Sequence, residues 1–173
     1  MRDIISEYKE LLELKLDIEQ KLSVLPKGYI SKKTIGGKQY FYLQTRSGNT
    51  VGSKYIKTDE IDAITSKLSL RKEYETELPD ILKRLEDIEK AAGLLDKALL
   101  RKLKMLKLTS GMDSISADEK EKCISFSDAM TAVEGVPVSD RLKKDLAEWK
   151  NGKVTFLSVF EETLKRYGFV SEV

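Results

Sequence analysis

Between Lys27 and Lys57 the chain holds seven cations, five aromatic rings and no acidic residue. The cations are Lys27, Lys32, Lys33, Lys38, Arg46, Lys54 and Lys57, and the rings are Tyr29, Tyr40, Phe41, Tyr42 and Tyr55. Ammonium and guanidinium groups neutralise phosphates, and an exposed tyrosine stacks on an unpaired base, so this composition suits a polyanion-binding surface. The same lysines suit a second use, blunting the edges of a sheet against strand-to-strand aggregation. A further cationic cluster lies in "LLDKALLRKLKMLKL", Leu94 to Leu108, with Arg101, Lys102 and Lys104 as candidate phosphate contacts. It reads equally as the solvated face of an amphipathic helix.

Other chemistry has little to work with. There is no histidine, which removes Ser-His and Cys-His nucleophilic pairs, the usual base near neutral pH and the commonest zinc ligand. The chain is therefore expected to be non-enzymatic, with no metal and no cofactor. The single cysteine, Cys123, falls in an apolar stripe with Phe126, Met130 and Val133, and reads as a small core residue. No apolar run approaches the roughly 18 residues of a membrane span. One cysteine and an acidic, heptad-like N-terminus, unlike a signal peptide, point to the cytoplasm.

The net charge of +2 conceals segregation. Residues 27–57 and 94–108 are basic, and the three stretches around them are mildly acidic. Such a pattern concerns partners more than fold.

The elements that must position these groups follow from spacing. Ile4, Tyr8, Leu11, Ile18, Leu22 and Leu25 make a coiled-coil seam over residues 2–25, closed by Pro26-Lys27-Gly28. Three β runs follow, Tyr29–Ile35, Lys38–Thr45 and Thr50–Ile56, with Gly36-Gly37 as a two-residue hairpin turn. Their alternation predicts Tyr40 and Tyr42 on one face and Phe41 and Leu43 on the other. Thr58-Asp59 caps a second long helix over about 59–92, whose seam is Ile61, Ile64, Leu68, Leu78, Leu82 and Leu85. Pro79 predicts a kink or restart near Leu78. The basic helix after Gly93 is expected to bury Leu95, Leu99 and Leu106.

In the last third, Ser116 and Glu119 have capping-box spacing ahead of the Cys123–Val133 stripe. Ser139 and Thr155 open two more helices, closed by Asn151-Gly152 and Gly168. Leu142, Leu146 and Trp149 face inward on the first, and Phe156, Phe160, Leu164 and Tyr167 repeat on the second. The fold class is α+β, mostly α. Long antiparallel, coiled-coil-like helices are joined by a three-stranded antiparallel meander, and a small three-helix unit follows. The corresponding domains are residues 1–108 and 116–173, with 109–115 as linker. The long seams also predict a homodimer.

The stretch "DAMTAVEGVPVSDRLKKDLAEWKNGKVTFLSVFEETLKRYG", Asp128 to Gly168, resembles the VbhA-like antitoxins of Fic-family toxins. That family presents an inhibitory helix with the pattern Ser/Thr-x-x-x-Glu-Gly/Asn, followed by two short helices. Its glutamate projects into the toxin's nucleotide site and pairs with the arginine that should hold the ATP γ-phosphate. The resemblance lays that glutamate on Glu134 and the glycine on Gly135. The first motif position falls on Met130, where the family has Ser or Thr. The first half, with "LPKGYISKKTIGGKQYFYLQ" and the later "SKYI", is similar to uncharacterised proteins of plasmids, phages and integrated elements.

Two functions therefore stand side by side. One is a stoichiometric inhibitor of antitoxin type, acting on a Fic-type AMP-transferase through the C-terminal helices. The other is a nucleic-acid or nucleoprotein binder using the meander and the basic helix, on DNA or RNA, of which an anti-CRISPR protein against a Cas9-type nuclease is an instance.

Overall fold

Two helix-forming stretches flank a β stretch punctuated by glycines, and the computed structural model, which describes residues 3–48 and 50–168, follows that order. Helix α1 (Ile4–Val24) leads into strands β1 (Tyr29–Ile35), β2 (Lys38–Ser47) and β3 (Thr50–Ile56). A 3-10 turn (Thr58–Glu60) then starts helix α2 (Ile61–Leu95). Helices α3 (Lys97–Thr109), α4 (Ala117–Val133), α5 (Asp140–Lys150) and α6 (Phe156–Arg166) complete the chain. The fold is α+β and mostly α, with α1 and α2 antiparallel and joined by a three-stranded antiparallel meander in the order β1-β2-β3. Among the described residues, no helix is long and apolar enough to cross a membrane.

Contacts divide the described chain into two compact units, residues 14–87 and residues 3–13 with 88–168. In the first, glycine sets the entry to the sheet. Gly28 has φ +113°, and a Cβ there would collide with the Gln44 carbonyl oxygen. Gly36 and Gly37 both take positive φ, as a two-residue hairpin turn requires. The register pairs Lys33 with Tyr40, Lys32 with Phe41, Tyr42 with Tyr55 and Phe41 with Ile56. Ile56 is buried, and Ile30, Phe41 and Leu43 on the same face are half-buried. In this unit the Arg71 guanidinium donates to the Leu22 and Leu25 carbonyls at 2.8 and 3.0 Å, satisfying the end of α1. Lys21 Nζ lies over the Tyr74 ring, 5.4 Å from its centroid.

The seam of α2 differs from strict heptad counting. Tyr74 is half-buried while Glu75 is exposed, and Ile81, Leu85, Ile88 and Ala92 are buried while Leu82 is exposed. One extra three-residue step between Arg71 and Leu78 moves the seam off the 3.5-residue repeat. Of the kink or restart expected at Pro79, the restart is absent, since α2 continues through it without the bond that an N–H at position 79 would have made. At the N-terminus of α2 the Thr58-Asp59 cap is replaced by the 3-10 turn, in which the Lys57 N–H donates to Glu60 Oε2 at 3.4 Å.

The second unit carries a polar node that runs from the core to the surface. Tyr8 is fully buried, and its phenol donates to Glu89 Oε1 at 2.6 Å. Lys107 Nζ reaches the same oxygen at 2.7 Å. Burial, reinforced by the Glu89 carboxylate, pushes the Tyr8 phenol well above its ordinary value. Partial burial opposes the Glu89 charge, but the hydrogen bonds from Lys107 and Tyr8 outweigh it and hold the carboxyl below its ordinary value. Helix α3 buries Leu103, Leu106 and Thr109, with Leu103 in the place expected of Leu95, which is exposed at the end of α2. Asp96 separates the two helices and caps α3 by accepting from the Ala98 N–H at 2.8 Å.

The 109–115 stretch, expected as a linker, is folded into this unit. Residues 110–114 are turns, and Asp113 Oδ1 accepts from Trp149 Nε1–H at 2.9 Å and from the Phe156 N–H at 2.8 Å. Trp149 is 1% exposed and packs on Phe156 with ring centroids 4.8 Å apart. The caps at Ser116, Ser139 and Thr155 form as their spacing predicts. On α6 the buried side chain is Val159, while Phe156, Phe160 and Leu164 are half-buried and Tyr167 is exposed.

The Tyr8–Glu89–Lys107 node has a pH signature. A depressed carboxyl stabilises the fold above its unfolded value of about 4.3, and that share is lost as pH falls through the lower folded value. Chemical denaturation at stepped pH should show stability falling below about pH 5, with Glu89→Gln flattening the fall. Tyr8→Phe should cost about 1.5 kcal/mol at neutral pH, the worth of a hydrogen bond to a charged group.

Candidate functional site

Helix α4 shows its apolar stripe to solvent. Cys123 is exposed, and so are Phe126 at 69%, Met130 and Val133 at 84%. The expectation that this stripe, with Cys123 in it, forms core is therefore corrected. The helix is held instead by its other side: Lys120 is 7% exposed, and Ile124, Asp128 and Thr131 are half-buried. Lys120 Nζ sits 5.1 Å from the centroid of the buried Trp149 ring, so the long stem and the cation both find a partner there. Lys150 binds Glu121 at 2.6 Å beside it. A lysine in a core position hides this inner face from any count of apolar residues.

The stripe leads to the residues that the motif singles out. Glu134 is the C-cap of α4, with helical φ −79° and ψ −3°, and it is exposed. Its N–H closes the last turn on the Met130 carbonyl at 3.2 Å. Gly135 follows at φ +72°, a left-handed conformation that lets the chain leave the helix axis. Val136 beyond it is also exposed. Met130, Val133, Glu134 and Gly135 thus lie together at the C-terminal end of one exposed face. On the inner side, Asp128 Oδ1 is buried without a hydrogen-bond partner, beside an open cavity of about 370 Å³ lined by Thr131, Pro137 and Lys143.

The cationic residues of the meander separate by face. Lys33, Lys38, Tyr40, Tyr42 and Arg46 fall on one face of the sheet by the two-residue alternation. Lys32 and Lys54 fall on the other, beside Phe41 and Leu43. Lys27 lies in an open groove of about 620 Å³ with Tyr29, Arg71 and Lys72, and Lys57 follows β3. Arg101, Lys102 and Lys104 are exposed on α3, in the other compact unit, so the two basic clusters are not parts of one unit.

Sequence reasoning counted Tyr55 among the rings of the basic stretch but did not place it on the face of Tyr40 and Tyr42. It sits opposite Tyr42 in the register, with ring centroids 5.8 Å apart in an edge arrangement, and 6.4 Å from Tyr40. The parity of β3 relative to β2 carried the signal, because the turn after Ser47 sets Tyr55 on the same face as Tyr42.

With this geometry in place, comparison adds one match. A family model described as a domain of unknown function, DUF6788, matches residues 8–65, about a third of the chain. The match spans most of α1, the meander and the start of α2. No curated protein and no solved structure matches the chain.

The facing of α4 is directly testable. Phe126→Ala should change stability by no more than about 0.5 kcal/mol, as for an exposed side chain. Trp149→Ala should cost about 3–5 kcal/mol, as for a buried aromatic. Urea unfolding of both variants measures the contrast, and equal losses would put Phe126 in the core.

Proposed function

We propose that this chain is a non-enzymatic, stoichiometric inhibitor of antitoxin type, directed at a Fic-type AMP-transferase. The observation that carries the reading is the outward stripe of α4, Cys123, Phe126, Met130 and Val133, ending at the exposed Glu134. An amphipathic helix with apolar anchors three and four residues apart is the form that docks in a partner's groove. Leaving Phe126 and Val133 in water forgoes the stabilisation of burying them, and a partner surface restores it.

The mechanism is obstruction. The α4 stripe seats in an apolar groove of the transferase, and the last helical turn carries Glu134 to the mouth of the nucleotide site. There the carboxylate pairs with the arginine that would hold the γ-phosphate, a charge-assisted contact that excludes the triphosphate from its productive pose. Gly135 turns the chain away, so nothing beyond the carboxylate need enter the site. Met130 supplies an apolar contact where the resembled family supplies a hydroxyl.

Purified complexes with a Fic-type AMP-transferase test this. Glu134→Ala should fold normally and still bind through the stripe, yet release AMP transfer by at least about tenfold, the loss of one charge-assisted contact. Phe126→Glu should abolish binding itself. Inhibition by Glu134→Ala equal to that of the wild type contradicts the mechanism.

A further inference from the structure

The sheet carries a second surface that the inhibitor reading does not use. On the face opposite Phe41 and Ile56 lie Lys33, Lys38, Arg46 and the three tyrosines Tyr40, Tyr42 and Tyr55. Tyr55 is 51% exposed, and Tyr29, on the same face of β1, is 65% exposed. Lys33 Nζ lies 5.2 Å from the centroid of Tyr42, which holds an ammonium at the edge of the ring cluster. No acidic residue occurs from Lys27 to Lys57, so no internal carboxylate from this stretch neutralises the face.

Edge protection does not account for this arrangement. Lysines that blunt an edge need only lie on β1 and β3, and Lys32 and Lys54, on the opposite face, already do so. It gives no reason for three tyrosines to gather on the central and edge strands with a ring half open to solvent. Aromatic rings beside cations, on a sheet surface, match the two demands of an unpaired nucleic-acid strand: a face for each base and a positive charge for each phosphate.

The polar side chains at the centre of the face define what is read. Gln44 Nε2 donates to Ser31 Oγ and to Ser53 Oγ, both at 3.1 Å, so its two amide hydrogens are engaged within the sheet. Arg46 Nε is turned to the Gly48 carbonyl at 3.3 Å. The amide hydrogens that would donate to a base edge are therefore committed, and ring faces and the Lys33 and Lys38 charges supply the contacts.

We infer that this tyrosine face is a platform for single-stranded nucleic acid, bound through base faces and phosphates and indifferent to base sequence and to the sugar. Bases stack on Tyr55 and Tyr29, with Tyr40 and Tyr42 holding the Tyr55 ring upright, and Lys33 and Lys38 meet the phosphates.

The test is fluorescence anisotropy of the full chain with labelled oligo(dT), oligo(rU) and duplex DNA of about 15 nucleotides, over a salt series from about 50 mM. Both single strands should bind within about threefold of each other and more tightly than the duplex. Lys33→Gln with Lys38→Gln should weaken binding and flatten the salt slope by about 1.4, which is two phosphate contacts on a single strand. Lys32→Gln with Lys54→Gln, on the other face, should leave the slope unchanged. Tyr55→Ala should cost about tenfold in affinity and Tyr55→Phe almost nothing, with unaltered melting temperatures showing an intact sheet. Absence of binding at about 50 mM salt, equal losses from the two lysine pairs, preference for duplex, or no effect of Tyr55→Ala overturns the assignment. So does displacement of oligo(dT) by poly-glutamate at equal charge concentration, which would make the face a dock for acidic polypeptides.

Discussion

The burial of Trp149 governs the C-terminal unit, because a single indole engages three separate stretches of chain. Its N–H is satisfied by Asp113, its ring packs on Phe156, and its face takes the Lys120 ammonium. Asp113 also receives the first N–H of α6, so one carboxylate oxygen ties the 109–115 turn to both later helices. An indole N–H left without an acceptor in that position would cost more than the bond itself contributes. Once Lys120 is committed to Trp149, the rotation of α4 follows, since residues 120, 124, 128 and 131 must face in. Cys123, Phe126, Met130 and Val133 are then left on the solvent side. The outward stripe is the geometric consequence of an inward lysine.

The other unit rests on a different constraint, the two-residue period of a strand. Three short strands supply one apolar face, centred on Ile56 and Phe41, and that face alone contributes core. The opposite face carries tyrosines and cations, with Tyr40 and Tyr42 half-buried and Tyr55 exposed. Both hairpin turns use glycine at positive φ, which fixes the strand registers and hence decides that Lys33, and not Lys32, shares a face with Tyr42.

What could be read from the sequence was governed by local rules. The limits of β1 and β3, the Gly36-Gly37 turn and the Ser116, Ser139 and Thr155 caps all depend on residues within a few positions of one another, and each appears where spacing puts it, while β2 runs two residues past Thr45 to Ser47. What escaped depends on partners far along the chain. The step that brings Tyr74 and Ile81 onto the α2 seam answers to α1, as the Lys21–Tyr74 contact shows. The helix does not restart at Pro79, and Ile81, Leu85 and Ile88 are buried beyond it. Asp113, in a stretch of turn-forming residues, looks like linker until its acceptor role for Trp149 and Phe156 is seen. Of the candidate site, Glu134 and Gly135 were legible as a motif, whereas the exposure of Cys123 and Phe126 was not, because a lysine occupies the core position that an apolar count assigns to them.

The proposed inhibitor role assigns a protein partner to the exposed stripe of α4. Hydrogen–deuterium exchange of the full chain, alone and with an equimolar Fic-type AMP-transferase, tests that most directly. The account predicts new protection concentrated between residues 123 and 136, with exchange in the three strands unchanged. Protection confined to the strands, or no protection in α4 on complex formation, would contradict it.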